Sequence, residues 1–211
     1  MNSDKEILAH YPETAGAGLS MYMNAESLEH VKKNFHYIFM NHEKGGGTPK
    51  LNLVSVDGYS AQNPLQLENL QVVPVPMVHG FMNTTGWIFT QNLPEKHSIA
   101  YLTDCNFISE ESLRTVKEAV SGGVIDHLVI DALRVRPHST HNSFDQALSY
   151  ADKIGAVHTW FTHMSHDFFH TEIQNYIDKN LDQYKNLKKI VLAGGTVSPA
   201  FDGLELFTFD S

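Results

Sequence analysis

From His97 onward the chain alternates apolar runs of β type with segments of helical period, and this alternation constrains the fold more than any other feature. HSIAYLTD reads as a strand. A helix follows, with Ser109 as N-cap, Glu110 and Glu111 in its first turn, and Leu113, Val116 and Val120 on one stripe. Gly122–Gly123 stops it. DHLVIDAL is a buried strand, and Ser143 caps a helix whose inner face is Phe144, Ala147, Leu148, Ala151 and Ile154. VHTWFTH is the next strand, residues 171 to 184 a helix, and KKIVLAGG a final core strand before LELFTF closes the chain. Strands alternating with helices make a sheet covered by helices, so the expected class is α/β with α+β layering.

The first half is richer in strands. SMYMNAESLEHVKKNFHYIF reads as a short strand and then a helix from about Ala25, with Leu28, Val31 and Phe35 at helical spacing. NHEKGGGTPK, with Gly45–Gly47, is a loop. LNLVSV and LQLENLQVVPVPMV are strands separated by a polar turn. Pro74 and Pro76 lie two apart, so their missing N–H groups face the same way, as suits a sheet edge or strand end. GWIFTQN pairs with HSIAYLTD around the turn NLPEK. No repeat or linker divides the chain, so one domain over residues 1–211 is expected.

Composition narrows the function. Fifteen basic side chains face 24 acidic ones, a net charge of −9, and the basic residues are scattered, which excludes a nucleic-acid groove. The single cysteine, Cys105, rules out a disulfide framework and fits a reducing compartment. No apolar run reaches the roughly 20 residues of a membrane span, and MNSDKEILAH lacks a signal-peptide pattern. The expectation is a soluble, cytoplasmic protein. Thirteen histidines are the anomaly, six of them between His138 and His170, and imidazole is the commonest metal ligand.

Four polar residues directly follow predicted strands: His79, Asp104, Asp131 and His163. Functional groups of layered α/β folds gather at strand ends. Two imidazoles and a carboxylate converging there suit Zn, Mn or Fe, whereas any one alone is an ordinary hydrogen-bonded strand end. His141 lies in the loop RVRPHSTHNS, where a histidine can act as general acid to a leaving alkoxide. Arg134 and Arg136 on that loop either clamp a phosphate or carboxylate or simply face solvent.

Taken together, VVPVPMVHG, YLTDCNFISEESL, LVIDALRVRPHSTHNSFDQAL, WFTHMSHD and VSPAFDGLEL resemble the metallo-β-lactamase superfamily, in its cyclic-phosphate phosphodiesterase branch. The match runs from about residue 19 to the C-terminus, and THN followed by THMSHD is its most specific element. The resemblance implies a metallo-β-lactamase-like αββα sandwich. It implies that His79 binds one metal of a pair, that Asp104 bridges both, and that His163 binds the second. It makes His141 the residue that protonates the leaving oxygen or orients the phosphodiester. His166 and Asp131 would support these ligands from behind. The implied chemistry is hydrolysis of a small phosphoester by a hydroxide activated between divalent Zn or Mn ions.

One motif of that family is missing. HxHxDH, a strand-end loop supplying four metal ligands, does not occur in these 211 residues. The expectation is a fold truncated at its N-terminus, with residues 1–18 a poorly matched leader and 19–211 family-like. The metal site would then hold one ion or none, with His166 or water completing it. An uncovered sheet edge or face would favour a homodimer. Two functions stay open: a metal-dependent phosphodiesterase, and a non-catalytic binding protein that retains the fold.

Overall fold

A computed structural model describes residues 18–39, 50–91, 97–120 and 123–207. The GGG loop, the NLPEK turn and Gly122 lie outside the described residues. The chain forms two compact units, one running through Gly58 and one from Tyr59. In the first unit, β1 (Leu19–Met23) pairs in parallel with β2 (Leu51–Ser55), and α1 (Ala25–Asn34) packs on β2. Asn24 caps α1 by accepting the Ser27 N–H at 2.7 Å.

The second unit is built on a seven-stranded mixed sheet. Its strands lie side by side in chain order: β3 (Leu65–Leu67), β4 (Leu70–His79), β5 (Met82–Gln91), β6 (His97–Leu102), β7 (Val124–Asp131), β8 (His158–Thr162) and β9 (Thr196–Pro199). LQLENLQVV is therefore a hairpin rather than one strand, turning at Glu68, whose φ is 50°. β3 covers only the first three residues of β4, so Pro74 and Pro76 have a ladder partner on one side alone. That is the edge environment their missing N–H groups require.

Four helices cover one face of this sheet: α2 (Glu110–Ala119), α3 (Phe144–Ile154), α4 (His170–Asn180) and α5 (Lys185–Leu192). Side chains of one parity, including Val73, Val75, Met77, Ile88, Leu102, Leu128, Ile130 and Phe161, meet Leu113, Val116, Phe144, Leu148, Ile173 and Leu187 in one buried core. Gly86 in β5 makes room for it, because a Cβ there would stand 2.6 Å from Leu102 Cδ2. Ser109 and Ser143 cap α2 and α3 as their positions predict, and Gln146 completes a capping box on α3.

KKIVLAGG corrects the sequence reading. It is the second half of α5 and its exit, and the last strand is instead TVSP. Leu187, Ile190 and Val191 sit at i, i+3 and i+4, a helical stripe inside an apolar run too short to show its period. Gly194, at φ 101°, releases the chain into β9. None of the described helices is long and apolar enough to cross a membrane.

Candidate active site

The sheet topology alone brings the strand-end residues together. β6, β7, β8 and β9 are parallel, and β4 runs antiparallel to β5, which runs antiparallel to β6. Hence β4, β6, β7 and β8 all finish at the same end of the sheet. His79 ends β4, Asp104 follows β6 by two residues, Asp131 ends β7, and His163 follows β8 directly.

Loop hydrogen bonds then fix the detail. The Asn142 N–H donates to the Cys105 carbonyl at 3.0 Å, and the Leu133 N–H to the Asn142 carbonyl at 2.9 Å. The Ser165 N–H donates to the Leu133 carbonyl at 2.8 Å. The segments after β6, β7 and β8 are thus stitched to one another. At Gly80, beside His79, the backbone N–H donates to Asn106 Oδ1 at 2.8 Å and φ is +65°. A Cβ there would press on Thr140 Cγ2 at 2.9 Å, so glycine lets the His79 hairpin lie against the loop that carries His141.

Asp131 and His141 form the best-defined contact. Asp131 is fully buried and its Oδ2 accepts His141 Nδ1–H at 2.7 Å and the Cys105 N–H at 3.2 Å. Burial raises the Asp131 carboxyl above the usual carboxylate range, against the lowering effect of the His141 hydrogen bond. Because Asp131 accepts at Nδ1, the Nε2 edge of His141 is the one left for chemistry. Its ring centroid lies 5.0 Å from that of His79 and 5.5 Å from that of His163.

Among the described residues, the Asp104 side chain makes only long contacts. Its Oδ1 is 3.8 Å from His79 Nε2 and 3.5 Å from His163 Nδ1, and that same Nδ1 is 3.8 Å from Asp131 Oδ2. Asp104 and His163 both hold left-handed backbone, at φ 57° and 58°. Such a conformation at a non-glycine residue costs on the order of 1–3 kcal/mol and collects at functional sites. Asp104, Asp131, His141 and His163 can each bring one ligating atom within 4.8 Å of the others. Asp131 Oδ1 is buried with no hydrogen-bond partner. Two carboxylates and two imidazoles, with one carboxylate oxygen unsatisfied, are a donor set that a cation would complete, and the expected ligand His79 lies beside this group rather than in it.

The remaining expected residues are elsewhere. His166 does not join the group: its ring is almost wholly exposed, 3.6 Å from Asp167. Arg134 folds onto its own loop, its Nη2 donating to the Pro137 carbonyl at 3.5 Å, and Arg136 is exposed. Cys105 offers no nucleophile, since burial and then Asp131 push its thiol up to about 12. The structure adds one residue not singled out from sequence, His138, whose ring is 5.6 Å from that of His141. Its only sequence signal is the HSTH spacing in a turn.

Comparison with known proteins bears on this geometry. The model of the beta-lactamase superfamily domain matches residues 6–164. A solved diphosphatase of the PhnP family is 28% identical, with a TM-score of 0.67 over 98% of this chain and 65% of that one. The metallo-beta-lactamase fold protein YhfI of Bacillus subtilis is 14% identical, with a TM-score of 0.57 over 96% of this chain and 70% of that one, and shows the same fold. An octanoyltransferase of Porphyromonas gingivalis is 28% identical over 149 residues, which are 70% of this chain and 27% of that protein. The chain thus spans about a quarter of that enzyme and just under two thirds of the diphosphatase. With three quarters of its length matched by the family model, and a helix-covered mixed sheet carrying the donor group at its strand ends, the chain belongs to the beta-lactamase superfamily.

Proposed function

We propose that this protein is a metal-dependent hydrolase of phosphoesters, with phosphodiesters or cyclic phosphates as its substrates. The observation that carries the reading is the 2.7 Å Asp131–His141 pair, which leaves free the Nε2 edge of a ring centred 5.0 Å from His79 and 5.5 Å from His163, the two histidines flanking Asp104. These three residues would hold the metal, which when bound lowers the pKa of water and offsets charge on the phosphoryl oxygens. Zn and Mn both suit two imidazoles and a carboxylate.

The chain's own residues do the rest. Asp131 fixes the ring of His141 and its tautomer, so that Nε2 can take the proton the attacking water gives up and return it to the leaving ester oxygen. A bound cation would offset the charge of Asp104 and of the unpartnered Asp131 Oδ1, which would ease the approach of an anionic ester. Arg136, exposed on the same loop, is free to meet a second phosphate or carboxylate. The likeness to a diphosphatase at 28% identity supports a phosphorus ester over a lactam or thioester. The octanoyltransferase match covers too little of that protein for its name to transfer.

The test is metal content and turnover on one preparation. Purified protein should bind Zn2+ or Mn2+ and hydrolyse bis-p-nitrophenyl phosphate, and His141→Ala should keep the metal while losing most of the turnover. No bound metal together with no hydrolysis would sink the enzyme reading. The rival reading, a binding protein that keeps the fold, draws on the absence of HxHxDH from these 211 residues. It expects phosphoester binding without turnover in the same assay.

A further inference from the structure

We propose that His138 is a substrate-contacting donor, its Nε2–H binding a phosphoryl oxygen beside His141. The proposal rests on the phosphoester reading above and adds a residue to it. His138 is half-buried, and its ring is tilted by 32° to that of His141. Its Nδ1 receives the Thr140 backbone N–H at 3.3 Å and lies 3.1 Å from Thr140 Oγ1.

Those two contacts decide the tautomer. A backbone N–H can only donate, so Nδ1 presents its lone pair and the ring proton sits on Nε2. Among the described residues no hydrogen bond engages that Nε2–H. The two neighbouring imidazoles are therefore set in opposite senses. His141 gives its Nδ1–H to Asp131 and presents Nε2 to exchange a proton, while His138 keeps Nδ1 as acceptor and presents a fixed N–H. A fixed neutral donor cannot take the leaving group's proton away from His141. It can hold an anionic oxygen in place while His141 acts.

The loop is braced for this. Thr140, which sets the His138 tautomer, is also the residue against which Gly80 packs, so the turn following His79 limits where Thr140 can move. The plainer role for His138 is to brace the turn through Nδ1 alone. Two substitutions separate the roles. His138→Asn keeps an acceptor near the Nδ1 position and removes the Nε2–H. His138→Gln keeps an N–H near the Nε2 position and loses the brace.

The experiment is calorimetric titration of the full chain with inorganic phosphate, beside 15N imidazole NMR of the free protein. His138 should show an unprotonated Nδ1, and His138→Asn should weaken phosphate binding by about tenfold or more at unchanged melting temperature. His138→Gln should bind phosphate more tightly than His138→Asn does. A protonated Nδ1, or phosphate binding by His138→Asn equal to that of the unsubstituted protein, would overturn the proposal and leave the hydrolase reading standing. Absence of phosphate binding by the unsubstituted protein would overturn both.

Discussion

Two carboxylates a few ångströms apart are treated in opposite ways by this fold. Asp131 is fully buried, ends a regular strand, and makes a 2.7 Å hydrogen bond to His141 and a second bond to a backbone amide. Asp104 keeps 59% of its side chain exposed, sits on left-handed backbone, and comes no nearer than 3.5 Å to either histidine beside it. The first arrangement satisfies Oδ2 within the protein and leaves only Oδ1 without a partner. The second is held open at a conformational cost and gains nothing visible from its neighbours. The difference teaches where the chain spends its order: the ring of His141, the proposed acid–base group, is locked in advance, and the proposed cage around Asp104 is left open.

The sharpest way to break this comparison is to remove each carboxylate in turn from metal-free protein. Asp131→Ala leaves the Cys105 amide and the His141 ring without their acceptor, and should lower the unfolding free energy by about 3 kcal/mol in urea melts. The value sits at the low end for a buried pair because burial already penalises the charged carboxylate. A loss below 1 kcal/mol would mean that the pair is ornamental. The second effect concerns the cage. Zn2+ or Mn2+ at about one hundred times its dissociation constant should add about 2.7 kcal/mol of stability. His163→Ala and His79→Ala should each abolish that gain. An undiminished metal shift in both would show that the cage lies elsewhere.

Asp104→Gly reverses the sign. It frees a residue at φ 57° from left-handed strain and removes one of two neighbouring carboxylates, against the added chain entropy of glycine. Metal-free protein should keep its stability or gain up to about 1 kcal/mol, while the metal-induced shift disappears. Destabilisation comparable to that of Asp131→Ala would show the two carboxylates to be doing the same structural work.

Much of this arrangement is legible in the sequence, and the failures have physical causes. Four polar residues after apolar runs mark one end of the sheet because parallel strands must finish together, and the helix caps at Ser109 and Ser143 announce themselves chemically. The Asp131–His141 pair is not legible, since nine residues lie between them and long-range backbone bonds such as Asn142–Cys105 aim the ring. Left-handed backbone at Asp104 and His163 carries only a faint signal, since Asp and His enter that region more readily than other non-glycine residues but do so at few of their positions. His138 hides because a histidine in a Pro–Ser–Thr turn looks like solvent-facing polarity until its Nδ1 is seen to be occupied. The final helix was masked by a run of apolar residues shorter than two helical turns.

A third ion pair, on the surface, calibrates the other two and has the smallest effect. Lys153 Nζ donates to Glu110 Oε1 at 2.7 Å, as short as the Asp131–His141 bond but in open solvent between α3 and α2. The hydrogen bond to Lys153 lowers the Glu110 carboxyl from its usual 4.5, and the hydrogen bond from Glu110 raises the Lys153 amine from its usual 10.5. A lowered carboxyl adds stability above its unfolded value and loses it as pH falls through the folded one. A raised amine adds stability below its unfolded value and loses it as pH rises through the folded one. Lys153→Met should therefore lower the melting temperature slightly between pH 5 and 10, by less and less as pH falls below the usual carboxylate value, with 0.5 M salt erasing the difference. If Lys153→Met costs as much as Asp131→Ala, then distance rather than burial sets the worth of a charged contact here, and the contrast between the two site carboxylates loses its physical basis.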